Sequence, residues 1–387
     1  MAETMQPKIF FVAGDHSGDL HGGNLIREIK KICPGAGISG LGGVHMAEAG
    51  CDIRYDLTKL SIMWFRRVYY NLHRVYRIQR ETLDSFDAAP PDALVLIDYP
   101  GFNLTLARWM KKRPVPVIYY IPPQIWAWFT HRVYKIRERV QKVLTVLPFE
   151  NHFYERAGVP VEYVGHPLFD HLRLVRLDEE FISGLRKGDG PLVGLLPGSR
   201  EQEVQRLLPV MLRACQELRG RLPNIRFVVA LGERIRPEIA RGILERYGIE
   251  NLVMVQGKTY EVMKAADCSL VTSGTATLEL AYFGRPMVVL YRLNPLSHLI
   301  GRTFMKTSYM ALVNVVAGRK IVPEMLLYRD DPIRVAQEVE YFLKEEDARL
   351  EARENLRRVV GLLDVPGASR RAAFAILQTV EEYRSKK

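Results

Sequence analysis

Short runs of apolar, often β-branched residues, each followed by an amphipathic stretch, recur along most of this chain, and no other feature constrains its fold as much. KIFFVA at 8–13, ALVLI at 93–97, VIYYI at 117–121 and VLTV at 143–146 are too uniformly apolar to leave one face in water. Strands buried on both faces belong to parallel sheets covered by helices. The first helix is read over 24–31, and 164–167 as a turn or linker, after which the pattern restarts. PLVGLL at 191–196, RFVVAL at 226–231, NLVMVQ at 251–256, CSLVT at 268–272 and MVVLY at 287–291 form the second series. From about Pro332 the chain reads as helix, broken at the VPG of 365–367. A length of 387 residues exceeds what one hydrophobic core usually organises. The expectation is therefore an α/β protein of two Rossmann-like parallel-sheet domains facing across a cleft, residues 1–168 and 169–364, followed by a helix at 365–387.

Apolar residues at 48% and charged ones at 26% fit a globular protein and exclude disordered and fibrous classes. Cys33, Cys51, Cys215 and Cys268 are scattered with no CxxC pair, so neither a disulfide framework nor a zinc site is expected. The N-terminus has no signal-peptide pattern and no run is long and apolar enough to cross a bilayer, which reads as a cytoplasmic protein whose membrane contact is peripheral. A net charge of +11 favours an anionic partner: nucleic acid, acidic lipid or a phosphorylated metabolite. Nucleic acid is the poorest of these, because the basic residues match no recognition module.

In open parallel sheets the ligand crevice is lined by loops leaving the carboxyl ends of strands. After the first strand comes AGDHSGDLHGG at 13–23, whose glycines permit close approach and whose Asp15, Ser17 and Asp19 offer polar contacts. Ser17 and Asp19 serve equally well as caps for the next helix. ALVLI ends in Asp98, ahead of Tyr99, Pro100 and Gly101, so a general base and a turn former are even readings. Trp126 and Trp128, in IPPQIWAWFTHR at 121–132, suit sugar or acyl contact, or else packing at a hinge. In LLPGSR at 195–200, Gly198, Ser199 and Arg200 open a helix in a way that suits a diphosphate. TSGTATLE at 272–279 is the stronger signal: backbone N–H groups at a helix start would meet phosphate while Glu279 takes ribose hydroxyls, against a plain N-cap as the alternative. The chain contains no DxD, the adjacent Asp330 and Asp331 being the nearest approach, so no metal and no cofactor are expected.

The segment SIMWFRRVYYNLHRVYRIQR at 61–80 repeats Phe65, Val68, Tyr69, Leu72, Val75 and Tyr76 at helical spacing among arginines. A helix packed on the first sheet with solvated arginines is one reading. The excess of aromatics favours another, in which Trp64, Phe65, Val68, Tyr69 and Leu72 touch membrane or acyl chains and Arg132, Lys135, Arg137 and Arg139 reinforce the contact.

Taken jointly, AGDHSGD, LIDYPGFN at 96–103, PPQIWAW at 122–128, LPFE at 147–150, VGHPL at 164–168, LLPGSR, SGTATLE and NVVAGRKIVPE at 314–324 resemble the lipid-A-disaccharide synthases, over nearly the whole chain. The resemblance implies a GT-B glycosyltransferase. It would move 2,3-diacylglucosamine from UDP to the 6-hydroxyl of 2,3-diacylglucosamine 1-phosphate with inversion, at the cytoplasmic face of the inner membrane. It further implies Asp98 as base, Asp15 and Ser17 shaping the catalytic cleft, and Arg200, Ser273, Gly274, Thr275 and Glu279 holding UDP, with Asn314 and Arg319 near the nucleotide or donor sugar. The C-terminal helix would pack back on the first domain, with exchange between partners of a homodimer. Departures from the family pattern are Asp15 for a Glu, His16 for a small residue, Met63, Trp64 and Arg67 where a Met-Gly step and a Glu are usual, and Leu327 for a Gln.

Overall fold

The computed structural model describes residues 6–61, 68–127, 129–292, 307–327 and 330–386. The chain divides into two compact units, one of Met1–His171 with Leu363–Lys387, the other of Leu172–Leu362.

The first unit carries a seven-stranded sheet in the order β3-β2-β1-β4-β5-β6-β7. Its strands are β1 (Lys8–Ala13), β2 (Gly37–Gly42), β3 (Asp52–Asp56), β4 (Ala93–Ile97), β5 (Val117–Tyr120), β6 (Lys142–Thr145) and β7 (Val161–Tyr163). Every pairing is parallel, as the uniformly apolar runs require. β4 lies at the centre and all five of its residues are buried, with Phe10, Val12, Leu94, Leu96, Val117 and Tyr119 in one core cluster. Three of these strands escape the apolar-run reading. GISGLG is rich in glycine, DIRYD alternates polar residues on the sheet's edge, and VEY is only three residues long.

The first helix, α1 (His16–Ile32), starts well before the expected residue 24 and absorbs most of the glycine-rich segment, so that AGDHSGDLHGG is two helical turns rather than a loop. Glycine is a poor helix former, but packing overrides propensity here: a Cβ on Gly23 would stand 2.6 Å from the His45 carbonyl oxygen on the short helix α2 (Val44–Glu48). The intervening helices are α3 (Thr58–Ser61), α4 (Val68–Ala88), α5 (Pro100–Met110), a 3-10 turn at Thr130–Arg132, α6 (Val133–Arg139), α7 (Pro148–Arg156) and α8 (Pro167–Leu174).

The second unit opens with α9 (Glu179–Arg186) and carries a six-stranded parallel sheet, β10-β9-β8-β11-β12-β13. Its strands are β8 (Leu192–Leu196), β9 (Arg226–Leu231), β10 (Leu252–Gln256), β11 (Cys268–Thr272), β12 (Met287–Arg292) and the edge strand β13 (Glu324–Leu327). The helices are α10 (Glu201–Arg221), α11 (Pro237–Tyr247), α12 (Thr259–Ala265), α13 (Ala276–Tyr282), α14 (Leu312–Ala317), α15 (Pro332–Lys344) and α16 (Glu346–Leu363). Leu327 is buried in the core at 3% exposure, packed among apolar neighbours.

The last helix, α17 (Ala368–Arg384), belongs to the first unit and lies along α1. Asp170 accepts from the Gly367 and Ser369 amides at 2.8 and 3.2 Å, and Arg371 donates twice to the Val164 carbonyl at 2.9 and 2.6 Å. At its far end Arg384 pairs with Asp92 at 2.6 Å.

Candidate active site

β4 is the central strand of the first sheet, and its carboxyl end runs directly into two consecutive left-handed residues, Asp98 at φ 41° and Tyr99 at φ 45°. Neither is glycine, so each costs roughly 1–2 kcal/mol relative to ordinary backbone and persists only because its surroundings hold it. Asn103, fully buried on α5, donates through Nδ2 to the carbonyls of Ile97 (3.1 Å) and Asp98 (2.7 Å). The buried Tyr119 hydroxyl donates to the Asp98 carbonyl at 2.7 Å, and the Asp98 amide donates to Ile121, itself at φ 53°. These contacts engage Asp98 through its backbone and fix where its half-buried side chain leaves the sheet.

Tyr99 caps α5 and its ring lies across Gly14, where any Cβ would collide with the ring. Burial, and after it the charge of Asp15, push the Tyr99 hydroxyl above its ordinary pKa, which puts Asp15 beside this turn. Asp15 is the N-cap of α1, its Oδ1 accepting from the Gly18 amide at 2.8 Å. Ser17 is exposed in the first turn of the same helix. The polar residues of this segment thus divide their work: Asp15 caps α1, whereas Asp19, fully buried, caps α2 by accepting from Gly43, His45 and Met46.

Glu150, the last residue of LPFE and one to which the sequence pattern assigns no role, is 1% exposed and close enough to this turn to feel the charge of Asp98. Its Oε1 accepts from Trp126 Nε1 at 2.9 Å and its Oε2 from the Leu147 and Val146 amides at 3.1 and 3.3 Å. Burial pushes its carboxyl up to about 7; these donors oppose the shift and the charge of Asp98 adds to it. The Glu150–Trp126 bond ties the PPQIWAW segment to α7. Trp126 is buried edge-on against Phe149, as packing rather than as an open stacking platform, and Trp128 lies outside the described residues.

In the second unit, β11 is followed by Ser273 and Gly274, the latter at φ 153°, a conformation side chains rarely adopt. Helix α13 follows, its first bonds running from Thr277, Leu278 and Glu279 back to Gly274 and Thr275. The Gly274 and Thr275 amides ahead of that first ring have no partner within the helix, the arrangement that suits an anion at a helix start, whereas the Ser273 amide donates to the Leu290 carbonyl at 3.3 Å. Ser273 Oγ donates to the Met310 carbonyl at 3.0 Å, joining the turn to the 310–324 segment. Glu279 keeps part of its surface accessible; burial of its carboxyl, which faces Tyr260, pushes it up to about 7. Tyr260, from the start of α12, is a second group that the sequence reading did not single out.

Arg200 is exposed at the start of α10 and pairs with Glu203 at 2.9 Å. The Glu203 carboxylate also accepts from the Ser199 and Arg200 amides at 3.0 and 3.2 Å, so a carboxylate of the chain itself occupies the helix start read as a diphosphate cradle. Tyr291, at the end of β12, feels the charges of both residues. Asn314 is fully buried: its Oδ1 accepts from Ile321 (2.8 Å) and Val322 (3.0 Å) and its Nδ2 donates to Val322 (3.0 Å). These bonds commit the side chain to closing the 314–322 loop. Arg319 is exposed, with Nη2 donating to Asn355 at 2.6 Å.

Of the expected membrane-facing residues, Trp64 and Phe65 lie outside the described residues, as do the side chains of Val68, Tyr69 and Leu72 on α4. Further along α4, Arg74, Tyr76, Arg77 and Arg80 are exposed while Ile78, Gln79, Thr82 and Leu83 are buried. Among the described residues no helix is long and apolar enough to cross a membrane.

Residues 9–377 match the lipid-A-disaccharide synthetase family. The lipid-A-disaccharide synthase of Syntrophus aciditrophicus is 38% identical over 376 residues, covering 97% of this chain and 98% of its own, and that of Geobacter sulfurreducens is 37% identical over 379 residues, covering 98% of both. Among solved structures, S. aureus MnaA with UDP aligns at a TM-score of 0.69 and 13% identity, covering 97% of both chains. The glycosyltransferase of kitacinnamycin aligns at 0.65 and 15% identity, covering 97% of this chain and 100% of its own. At such identities these structures speak for the GT-B type fold alone.

Proposed function

Because the chain belongs to the lipid-A-disaccharide synthetase family, we propose that it transfers 2,3-diacylglucosamine from UDP to the 6-hydroxyl of 2,3-diacylglucosamine 1-phosphate, releasing UDP with inversion and without metal. The observation that carries the chemistry is the strained turn at Asp98. A base serves only if it is held in place when the acceptor arrives, and a backbone clamped by Asn103 and Tyr119 does that. Asp98 takes the proton of the acceptor hydroxyl as its oxygen attacks the sugar C1, and the C1–O electron pair leaves with the diphosphate of UDP. Asp15 and Ser17, at the start of α1, flank the base.

Charge developing on UDP would be met by the amides at Gly274 and Thr275, beside Ser273, and by Arg200, released from Glu203, with Glu279 taking ribose hydroxyls. Asn314 and Arg319 support that site by holding the 314–322 loop. The absence of a DxD motif from the sequence is the support for a metal-free reaction. Peripheral contact with the inner membrane through the 61–80 segment and the basic residues of 132–139, and a homodimer exchanging α17, complete the reading.

The deciding test mixes the purified protein with the diacylated UDP-glucosamine and its 1-phosphate acceptor and follows disaccharide and UDP. Acceptor-dependent release of both, unchanged in EDTA, is the expected result. UDP release or sugar isomerisation that ignores the acceptor would point instead to an epimerase, and loss of activity in EDTA would overturn the metal-free mechanism.

A further inference from the structure

Two helices of the first unit, α1 and the short α2, bring together a group of side chains that neither the catalytic proposal nor the fold requires in combination. His16 begins α1, Asp19 follows one turn later on the same helix, and His45 lies on α2. One ligand atom from each lies within 4.8 Å of the other two, and the imidazole rings of His16 and His45 are 5.0 Å apart.

Asp19 is positioned as a metal carboxylate should be. Its Oδ1 accepts from the Gly43 and Met46 amides at 2.7 and 3.2 Å and its Oδ2 from the His45 amide at 3.0 Å. A carboxylate offers about four lone-pair positions, so one remains, on Oδ2. The three N–H donors hold the group in a single orientation, the service that outer partners give to metal-ligating carboxylates. The His45 amide is one of those donors, so the chain that carries the second imidazole also fixes the carboxylate. His16 is exposed and His45 partly so, while Asp19 is fully buried. For metal bonds of about 2.0–2.2 Å the donor atoms of a tetrahedral ion stand roughly 3.4 Å apart.

We propose that His16, Asp19 and His45 form a binding site for one divalent transition ion of the zinc or nickel kind. Two imidazoles and one carboxylate select such borderline ions over magnesium and calcium, which favour all-oxygen sets. The site lies outside the residues assigned to the transfer reaction, but His16 stands between Asp15 and Ser17, so an ion there would couple α2 to the start of α1.

Tag-free full-length protein, stripped with a chelator, is titrated with zinc chloride by calorimetry in parallel with His16→Ala, His45→Ala and, as a control at an exposed histidine elsewhere in the unit, His152→Ala. The expected result is one zinc per chain, weakened at least tenfold in both His16→Ala and His45→Ala, unchanged in His152→Ala and not competed by magnesium. Cobalt in place of zinc should give a visible spectrum that both variants lose. No saturable binding, or binding in His16→Ala and His45→Ala as tight as in the parent, overturns the site.

Discussion

The fourth strand of each sheet, β4 in the first unit and β11 in the second, occupies the same place in the same strand order and ends in a sharp turn into a helix. The two turns are built in opposite ways. After β4 the left-handed conformations fall on Asp98 and Tyr99, and two buried side chains, Asn103 and Tyr119, are spent on keeping them there. After β11 the unusual conformation falls on Gly274, which needs no such support, and open space surrounds the position of its absent Cβ. A turn that must present a reactive side chain cannot be glycine and carries strain; a turn that presents backbone amides to an anion can avoid the strain.

If that contrast is right, the largest effect belongs to Asp98→Ala, which should lower the rate of disaccharide formation about 10²–10⁴-fold, the usual contribution of a general base, with the circular dichroism spectrum unchanged. An Asp98→Ala enzyme within a few fold of the parent would break the comparison at its root. Next comes the clamp. Asn103→Ala leaves the Ile97 carbonyl without this donor and the Asp98 carbonyl with Tyr119 alone, so it should destabilise the first unit by roughly 1–3 kcal/mol and lower kcat more than it alters KM. Gly274→Ala, the matching change in the second unit, meets no neighbouring atom and should cost only about 1 kcal/mol of backbone strain, with its effect falling on KM for the UDP-sugar. Equal effects of the two substitutions on kcat would erase the distinction drawn here.

Glu150 sharpens the comparison by pH. Its carboxyl titrates at about 7 in the folded protein against an ordinary 4.5, so the folded state holds the proton more tightly. Its stabilising contribution is therefore full below pH 4.5 and is lost as pH rises through 7, a swing of roughly 3 kcal/mol. The difference in urea unfolding free energy between the parent and Glu150→Gln should fall by roughly 3 kcal/mol as pH rises across that window. His21 and His166 act with the opposite sign. Burial holds them at about 3 and about 4 against 6.5, so their contribution is present above pH 6.5 and lost as pH falls. The parent-minus-variant difference isolates Glu150 from them. The smallest expected effect is that of Glu203→Gln, which loosens Arg200 and the amides at the start of α10: KM for the UDP-sugar should change no more than a few fold, kcat still less.

Much of the fold could be read before any coordinates, because a parallel sheet buried on both faces writes itself into the chain as uniform apolar runs. Runs such as ALVLI and CSLVT correspond to β4 and β11 to the residue. What escaped were GISGLG, whose pairing on both sides compensates for weak local preference, and the edge strands DIRYD, VEY and EMLL. Asp98 could be picked out because a carboxylate at the end of an apolar run stands in the loop that lines a crevice. Glu150 could not be given a role in the same way. Its partner Trp126 lies 24 residues earlier, and nothing in LPFE tells a buried carboxylate from a solvated one at a helix start.

The order of apolar and polar residues alone thus determined two parallel-sheet units and where their central strands end, since burial of apolar surface is a local and additive demand. Only the tertiary structure decided which polar groups are already committed. Asp19 caps α2, Asn314 closes a loop and Glu203 occupies the amides at α10, because a hydrogen bond is directional and its partner can sit anywhere along the chain.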